Sequence, residues 1–194
     1  MNSCIVQEIL KFDPEKPMAS FQVQLVATIC VLLLSTMTFS VVLKVFMSKK
    51  FSDSIGDDRQ KEYESMKEKG VSISNLLFGE ILNGSVHAPI SEELFFRFLL
   101  FKLVFVRLLK MNPHTANFLQ AGIFGALHMS NTVYSDQEIK LSIAQSISSG
   151  ITGLICGYSY YYTNSILPAI GAHMVNNLIA SYDQYNGYAA YLRG

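Results

Sequence analysis

Charged positions in this chain are clustered, and the gaps between them define its elements. Three long stretches carry no Asp, Glu, Lys or Arg: residues 17–43, 111–135 and 141–182. A helix needs about 20 mainly apolar residues to cross a bilayer core. The first stretch predicts a span near Phe21–Met47, and the second predicts one near Thr115–Tyr134. The third is long enough for two, near Lys140–Tyr161 and Ile166–Tyr182. Their turn is expected within Tyr160-Tyr161-Tyr162-Thr163-Asn164-Ser165, since aromatic rings favour the membrane interface and Asn and Ser favour turns. A fifth candidate, Ile90–Leu109, is interrupted by Glu92, Glu93, Arg97, Lys102 and Arg107. Four uncharged spans already set the compartment, so the fifth is read as a span whose charges face the protein interior. Pro89, Ser91 and the two glutamates give it a helix start signal. A soluble bundle would need a wet polar face on each helix, and the run 141–182 offers none. The predicted fold class is therefore all-α: a polytopic transmembrane helical bundle with about five membrane spans.

Thirteen of the charges fall between Lys44 and Lys69. The organisation read from this is a segment 1–47 ending in the first span, and a linker 48–83. A membrane core 84–182 and a tail 183–194 follow. The linker is polar and partly helical to residue 70, and its remainder, 71–83, has the pattern of a short interfacial helix. The first span starts late and lacks a small-residue cleavage site, so it is read as a permanent helix rather than a signal peptide. Only 15% of residues are charged, against about 25% in a typical soluble domain. Fifteen basic residues balance fifteen acidic ones. Nucleic acid, which is drawn to basic surface, is therefore excluded as a partner, and membrane lipids are expected. Cys4, Cys30 and Cys156 show no metal-ligand spacing and argue against a disulfide scaffold. Orientation follows from basic residues in loops. One side, side A, holds the N-terminus and the turns at 110–114 and 162–165. Side B holds the 48–89 connection, the 134–140 turn and the C-terminus. Side B has seven basic residues from Lys44 to Lys69, which makes it the cytoplasmic candidate for an integral, multi-pass protein.

Ionisable and amide side chains within spans are costly, and they face partners or water. The candidates are Glu92, Glu93, Arg97, Lys102, His128, His173, Asn176 and Asn177. In the five-span topology most of them meet at similar depth on side B. Glu93 and Arg97 are four apart and can pair. Glu92 points about 100 degrees away along the helix, which leaves it free to handle protons. The competing explanation is that both glutamates cap a helix start. Phe124 and His128 are also four apart, so the ring can pack beneath the imidazole. His173 and Asn177 repeat the spacing, with Asn176 as a rival donor. Hydrolysis of an amide needs an activated nucleophile and a stabilised oxyanion. No serine elbow is present and no Cys lies beside a His. Water activated by Glu92 and His128 would serve, with His173 and Asn177 holding the tetrahedral oxygen. The same side chains also admit a zinc reading, with Glu92, His128 and His173 as ligands, although no His-Glu-x-x-His motif is present. Metal-free and zinc-dependent chemistry both stay open at this point, the metal-free form leading.

Three short motifs then carry a family resemblance. Glu92-Glu93-Leu94-Phe95-Phe96-Arg97 resembles the EExxxR motif of the CAAX protease and bacteriocin-processing (CPBP) intramembrane proteases, which include the Rce1-type prenyl-protein endopeptidases. Phe124-Gly125-Ala126-Leu127-His128 resembles the family's FxxxH motif, and His173-Met174-Val175-Asn176-Asn177 its HxxxN motif. The resemblance covers residues 70–182. It implies an all-α bundle whose cavity opens to the cytosolic side, and a protease without a required cofactor. It implies that Glu92 and His128 activate water, that Glu93 and Arg97 support the site, and that His173 and Asn177 form the oxyanion hole. A membrane-associated or lipidated protein or peptide is the implied substrate. Family members also have other suggested roles, so a non-catalytic interaction or immunity protein is the competing function. A transporter is the third, disfavoured by the absence of obvious duplicated halves.

Overall fold

The computed structural model describes residues 3–46, 49–130 and 139–193, and every regular element among them is a helix. A short α1 (Ser3–Leu10) precedes the long α2 (Phe21–Phe46), and α3 (Lys49–Glu68) carries the charged linker. From Ile73 to Leu108 the chain is one unbroken helical run of changing pitch. It passes through α4 (Ile73–Gly79), π1 (Glu80–His87), α5 (Ala88–Glu93) and π2 (Leu94–Leu108). Then come α6 (Pro113–Leu127), a single 3-10 turn (His128–Ser130), α7 (Ile139–Thr163) and α8 (Leu167–Tyr191). Asn112 caps α6 by accepting the His114 N–H at 2.9 Å, with Pro113 at the first helical position.

Two helices, α2 and α7, are long and apolar enough to cross a membrane. They match the first and fourth of the five expected spans. The expected Ile90–Leu109 span is helical but carries Arg97 and Lys102, both fully buried. The span expected near Thr115–Tyr134 has its helix only to Leu127, and residues 131–134 lie outside the described residues, as do Met47 and most of the 134–140 turn. The last helix does not stop near Tyr182; it continues to Tyr191, where Tyr188 and Tyr191 pack on Tyr63 of α3 at 5.7 and 5.8 Å. The helix start expected at Pro89 is also corrected, because residues 73–88 are already helical and Glu92 and Glu93 sit mid-helix. Their presence therefore needs a partner other than a helix terminus. The turn before α8 is tighter than expected, since Tyr160–Tyr162 remain in α7.

Small residues let the helices approach. A Cβ on Gly125 would lie 2.6 Å from the Ser146 carbonyl oxygen, so α6 meets α7 backbone to backbone. Ser146 Oγ donates to the Gly125 carbonyl at 2.7 Å across the same contact. α2 adds Val31 to a cluster with Cys156, Ala169 and Ala172. Its other face leaves Val26, Leu33, Met37, Val41 and Val45 exposed, as a helix facing lipid should.

The N-terminal segment closes one end of the bundle. Phe12 inserts its ring against Phe101, Tyr160 and Tyr161, at centroid distances of 5.1, 5.3 and 5.1 Å. The buried Lys102 donates to the carbonyls of Glu8 and Lys11 and pairs with the Glu8 carboxylate at 2.9 Å. Asn164 adopts positive φ (52°) at the turn before α8, a conformation Asn tolerates better than most residues. Its Nδ2 donates to the carbonyls of Asp13 (2.9 Å) and Lys16 (3.0 Å), while its Oδ1 accepts the Asp13 N–H. Replacing Asn164 by Ala removes these bonds and strains the turn. The variant is expected to open this segment, raising tryptic cleavage after Lys11 about tenfold. An unchanged cleavage rate in the folded variant would show that Asn164 does not hold the segment.

Candidate active site

Glu93 and Arg97 stand one turn apart where α5 passes into π2, and both side chains are 0% exposed. Arg97 Nε lies 2.9 Å from Glu93 Oε2. Two opposite charges without water hold each other strongly, and either alone would be costly. The contact is an ion pair rather than an aligned hydrogen bond: neither atom meets hydrogen-bond geometry. The guanidinium's aligned bond to oxygen runs from Nη1 to Gln120 Oε1 on α6, at 3.1 Å.

His173 of α8 stands between the two glutamates. Its Nδ1 is 3.0 Å from Glu93 Oε1, and its Nε2 is 3.8 Å from Glu92 Oε2. An ionised carboxylate only accepts, so the network assigns the Nδ1 proton to the bond with Glu93. Neighbouring helix positions diverge, so the Arg97 contact belongs to Glu93, whereas His173 lies near both glutamates. The imidazole meets both because its two nitrogens lie on different edges of the ring. The glutamates differ sharply in access: the Glu92 side chain is 37% exposed, whereas that of Glu93 is sealed.

His128 ends α6, where the helix tightens into its 3-10 turn. Its Nδ1 donates to the Phe124 carbonyl at 2.9 Å, leaving Nε2 with its lone pair. Among the described residues no hydrogen bond or ion pair joins His128 to Glu92. The link between the imidazoles is Phe124, 4% exposed. Its ring packs edge-on to His128 (4.8 Å), His173 (6.3 Å) and Phe96 (4.8 Å). The Arg97 guanidinium lies 4.8 Å over the same ring, in cation–π range.

Asn177 is held by a backbone irregularity. In π1 the amide of Ala88 bonds the carbonyl of Asn83, five residues back. The next donor in that pattern would serve Gly84, but it is Pro89, which has no N–H. Asn177 Nδ2 donates to the Gly84 carbonyl instead, at 2.8 Å. One amide hydrogen of Asn177 is thus engaged and the other remains for a ligand. Asn176 is half-buried and takes no part in these bonds.

The zinc reading of Glu92, His128 and His173 fits this arrangement poorly. Among the described residues no three His, Cys, Asp or Glu side chains converge as a metal site.

Two residues at the site were absent from the sequence candidates. Gln120 and Asn117 are fully buried on α6, three apart, and Gln120 precedes Phe124 by four as Phe124 precedes His128. That register was the available signal.

The family model for type II CAAX prenyl endopeptidase Rce1-like proteins matches residues 72–179, more than half of the chain. The chain belongs to the Rce1-like family. No curated protein and no solved structure matches it. The Rce1-like protein is thus a member of a membrane-embedded protease family, and its two long apolar helices agree with a place in the membrane. All three motifs and the Gln120 contact lie inside the matched region; Glu8, Phe12 and α3 lie outside it.

The Pro89–Gly84–Asn177 account of this Rce1-like chain makes an energetic prediction. Asn177→Ala should cost about 1–3 kcal/mol of stability by orphaning the Gly84 carbonyl. In a Pro89→Ala background, where a backbone N–H returns, the same change should cost less. Equilibrium unfolding of the four proteins in mixed micelles reads the coupling. Strict additivity would contradict the account.

Proposed function

We propose that this protein is an intramembrane endopeptidase that hydrolyses a peptide bond in a membrane-associated, prenylated protein or peptide, with water as the nucleophile and no metal. The unequal surroundings of two adjacent glutamates carry this reading. Glu93 is locked between Arg97 and His173, while Glu92 is open on one side and faces His173 on the other. One carboxylate builds the site and the other works in it.

Glu92 and His128 bind the attacking water, and Glu92 takes its proton as oxygen adds to the scissile carbonyl. The carbonyl oxygen becomes an oxyanion. His173, with a proton on each ring nitrogen, donates to it through Nε2, and the second Asn177 N–H donates beside it. On collapse the C–N bond breaks, and Glu92 returns the proton to the leaving amine. Glu93 and Arg97 keep His173 in place, Phe124 spaces the imidazoles, and Asn176 lies alongside as a secondary donor. We place the chain in the membrane with five spans, side B cytoplasmic and the site opening there, on the basic residues from Lys44 to Lys69.

The test is cleavage of a farnesylated peptide ending in a CAAX sequence by purified protein in liposomes. Glu92→Gln is expected to lower kcat by about 100- to 10,000-fold, with EDTA leaving the parent rate unchanged. Full activity in the folded Glu92→Gln protein would remove Glu92 from the mechanism. Loss of activity in EDTA, restored by zinc, would overturn the metal-free chemistry.

A further inference from the structure

The guanidinium of Arg97 is pulled towards Glu93 by charge but is oriented by something else. Charge attraction alone does not choose which of its N–H groups faces the carboxylate. Among the described residues its one aligned hydrogen bond to oxygen is the one to Gln120. The orientation of Gln120 is itself forced. Its Nε2 donates to Asn117 Oδ1 at 2.7 Å and to the Gly153 carbonyl at 3.1 Å. Both are acceptors, so the amide cannot flip, and Oε1 must face Arg97. Asn117 is forced in the same way, because its Nδ2 donates to the Leu154 carbonyl at 3.0 Å. The orientation thus originates in two backbone carbonyls of α7 and reaches Arg97 through two buried amides. Gly157 makes the room: a Cβ there would overlap the Asn117 amide.

We propose that Gln120 is a positioning residue of the active site. It sets the Arg97 guanidinium, which sets the Glu93 carboxylate, which in turn holds the Nδ1 proton and the ring angle of His173. The role deepens the protease reading above and rests on it for its effect on rate. Its effect on His173 can be read without any substrate.

The experiment uses the full chain with 15N-labelled histidine, and the His173 signals are assigned by their loss in His173→Gln. Gln120→Leu removes every hydrogen bond of the Gln120 amide and leaves Asn117 on the Leu154 carbonyl. Gln120→Met, of similar length, serves where the leucine variant does not fold. Gly157→Ala disturbs the relay from the other helix without touching Arg97. The folded Gln120 variant is expected to shift the His173 Nδ1 resonance. On the farnesylated peptide it is expected to lose about ten- to a hundred-fold in kcat with KM little changed. Gly157→Ala should move both readouts in the same direction by less. A folded Gln120 variant with the parent His173 spectrum would overturn the proposal, whatever its rate. If the parent protein cleaves nothing, the protease reading falls, and the His173 spectrum still decides the role of Gln120.

Discussion

A positive and a negative side chain sealed from water cannot be left apart, and the bundle is arranged so that Glu93 and Arg97 never are. Both are fully buried, and each touches a different neighbouring helix. Glu93 reaches α8 through His173, and Arg97 reaches α6 through Gln120 and the face of Phe124. The pair therefore fixes three helical segments relative to one another at the point where the candidate chemistry sits. An exposed pair would contribute little to such an arrangement. Here the lack of competing water turns an ordinary four-residue spacing into a constraint on the tertiary structure.

The backbone contributes a second constraint. Wide helical turns on both sides of Glu93 change which carbonyls are served by which amides. π-type segments are rare and recur at functional sites. Pro89, in α5 just past the end of π1, leaves the Gly84 carbonyl for Asn177. A third-motif side chain is thereby tied to the segment that carries the first motif. At the opposite end, the N-terminal segment satisfies Lys102 and Asn164. That end is closed by residues outside the family-matched region.

Much of this was legible in the sequence. Uncharged stretches marked the helices, and the spacing of Glu93 and Arg97 announced their pairing. Three motifs drew attention to Phe124, His128, His173 and Asn177. Other features left no mark. A proline near two glutamates reads as a helix start, because nothing in side-chain type encodes the five-residue bonding that lets a helix run through it. Gln120 and Asn117 are neutral and stood in the shadow of charged neighbours, though their register with Phe124 was visible. The partners of Lys102 lie more than 90 positions away, beyond any local pattern. His173 was read as an oxyanion donor from its place in a motif, and its bridging of both glutamates depends on how α8 is turned.

The claim beneath all of this is that Glu93 and Arg97 stabilise the bundle as a pair rather than as two independent side chains. The direct measurement is a double-mutant cycle of unfolding free energies for the parent, Glu93→Gln, Arg97→Met and the double variant. Each single change should cost about 3–5 kcal/mol by stranding a buried charge, and the double variant should cost much less than their sum. Additive losses would contradict the account, for the two charges would then be held by the rest of the protein and not by each other.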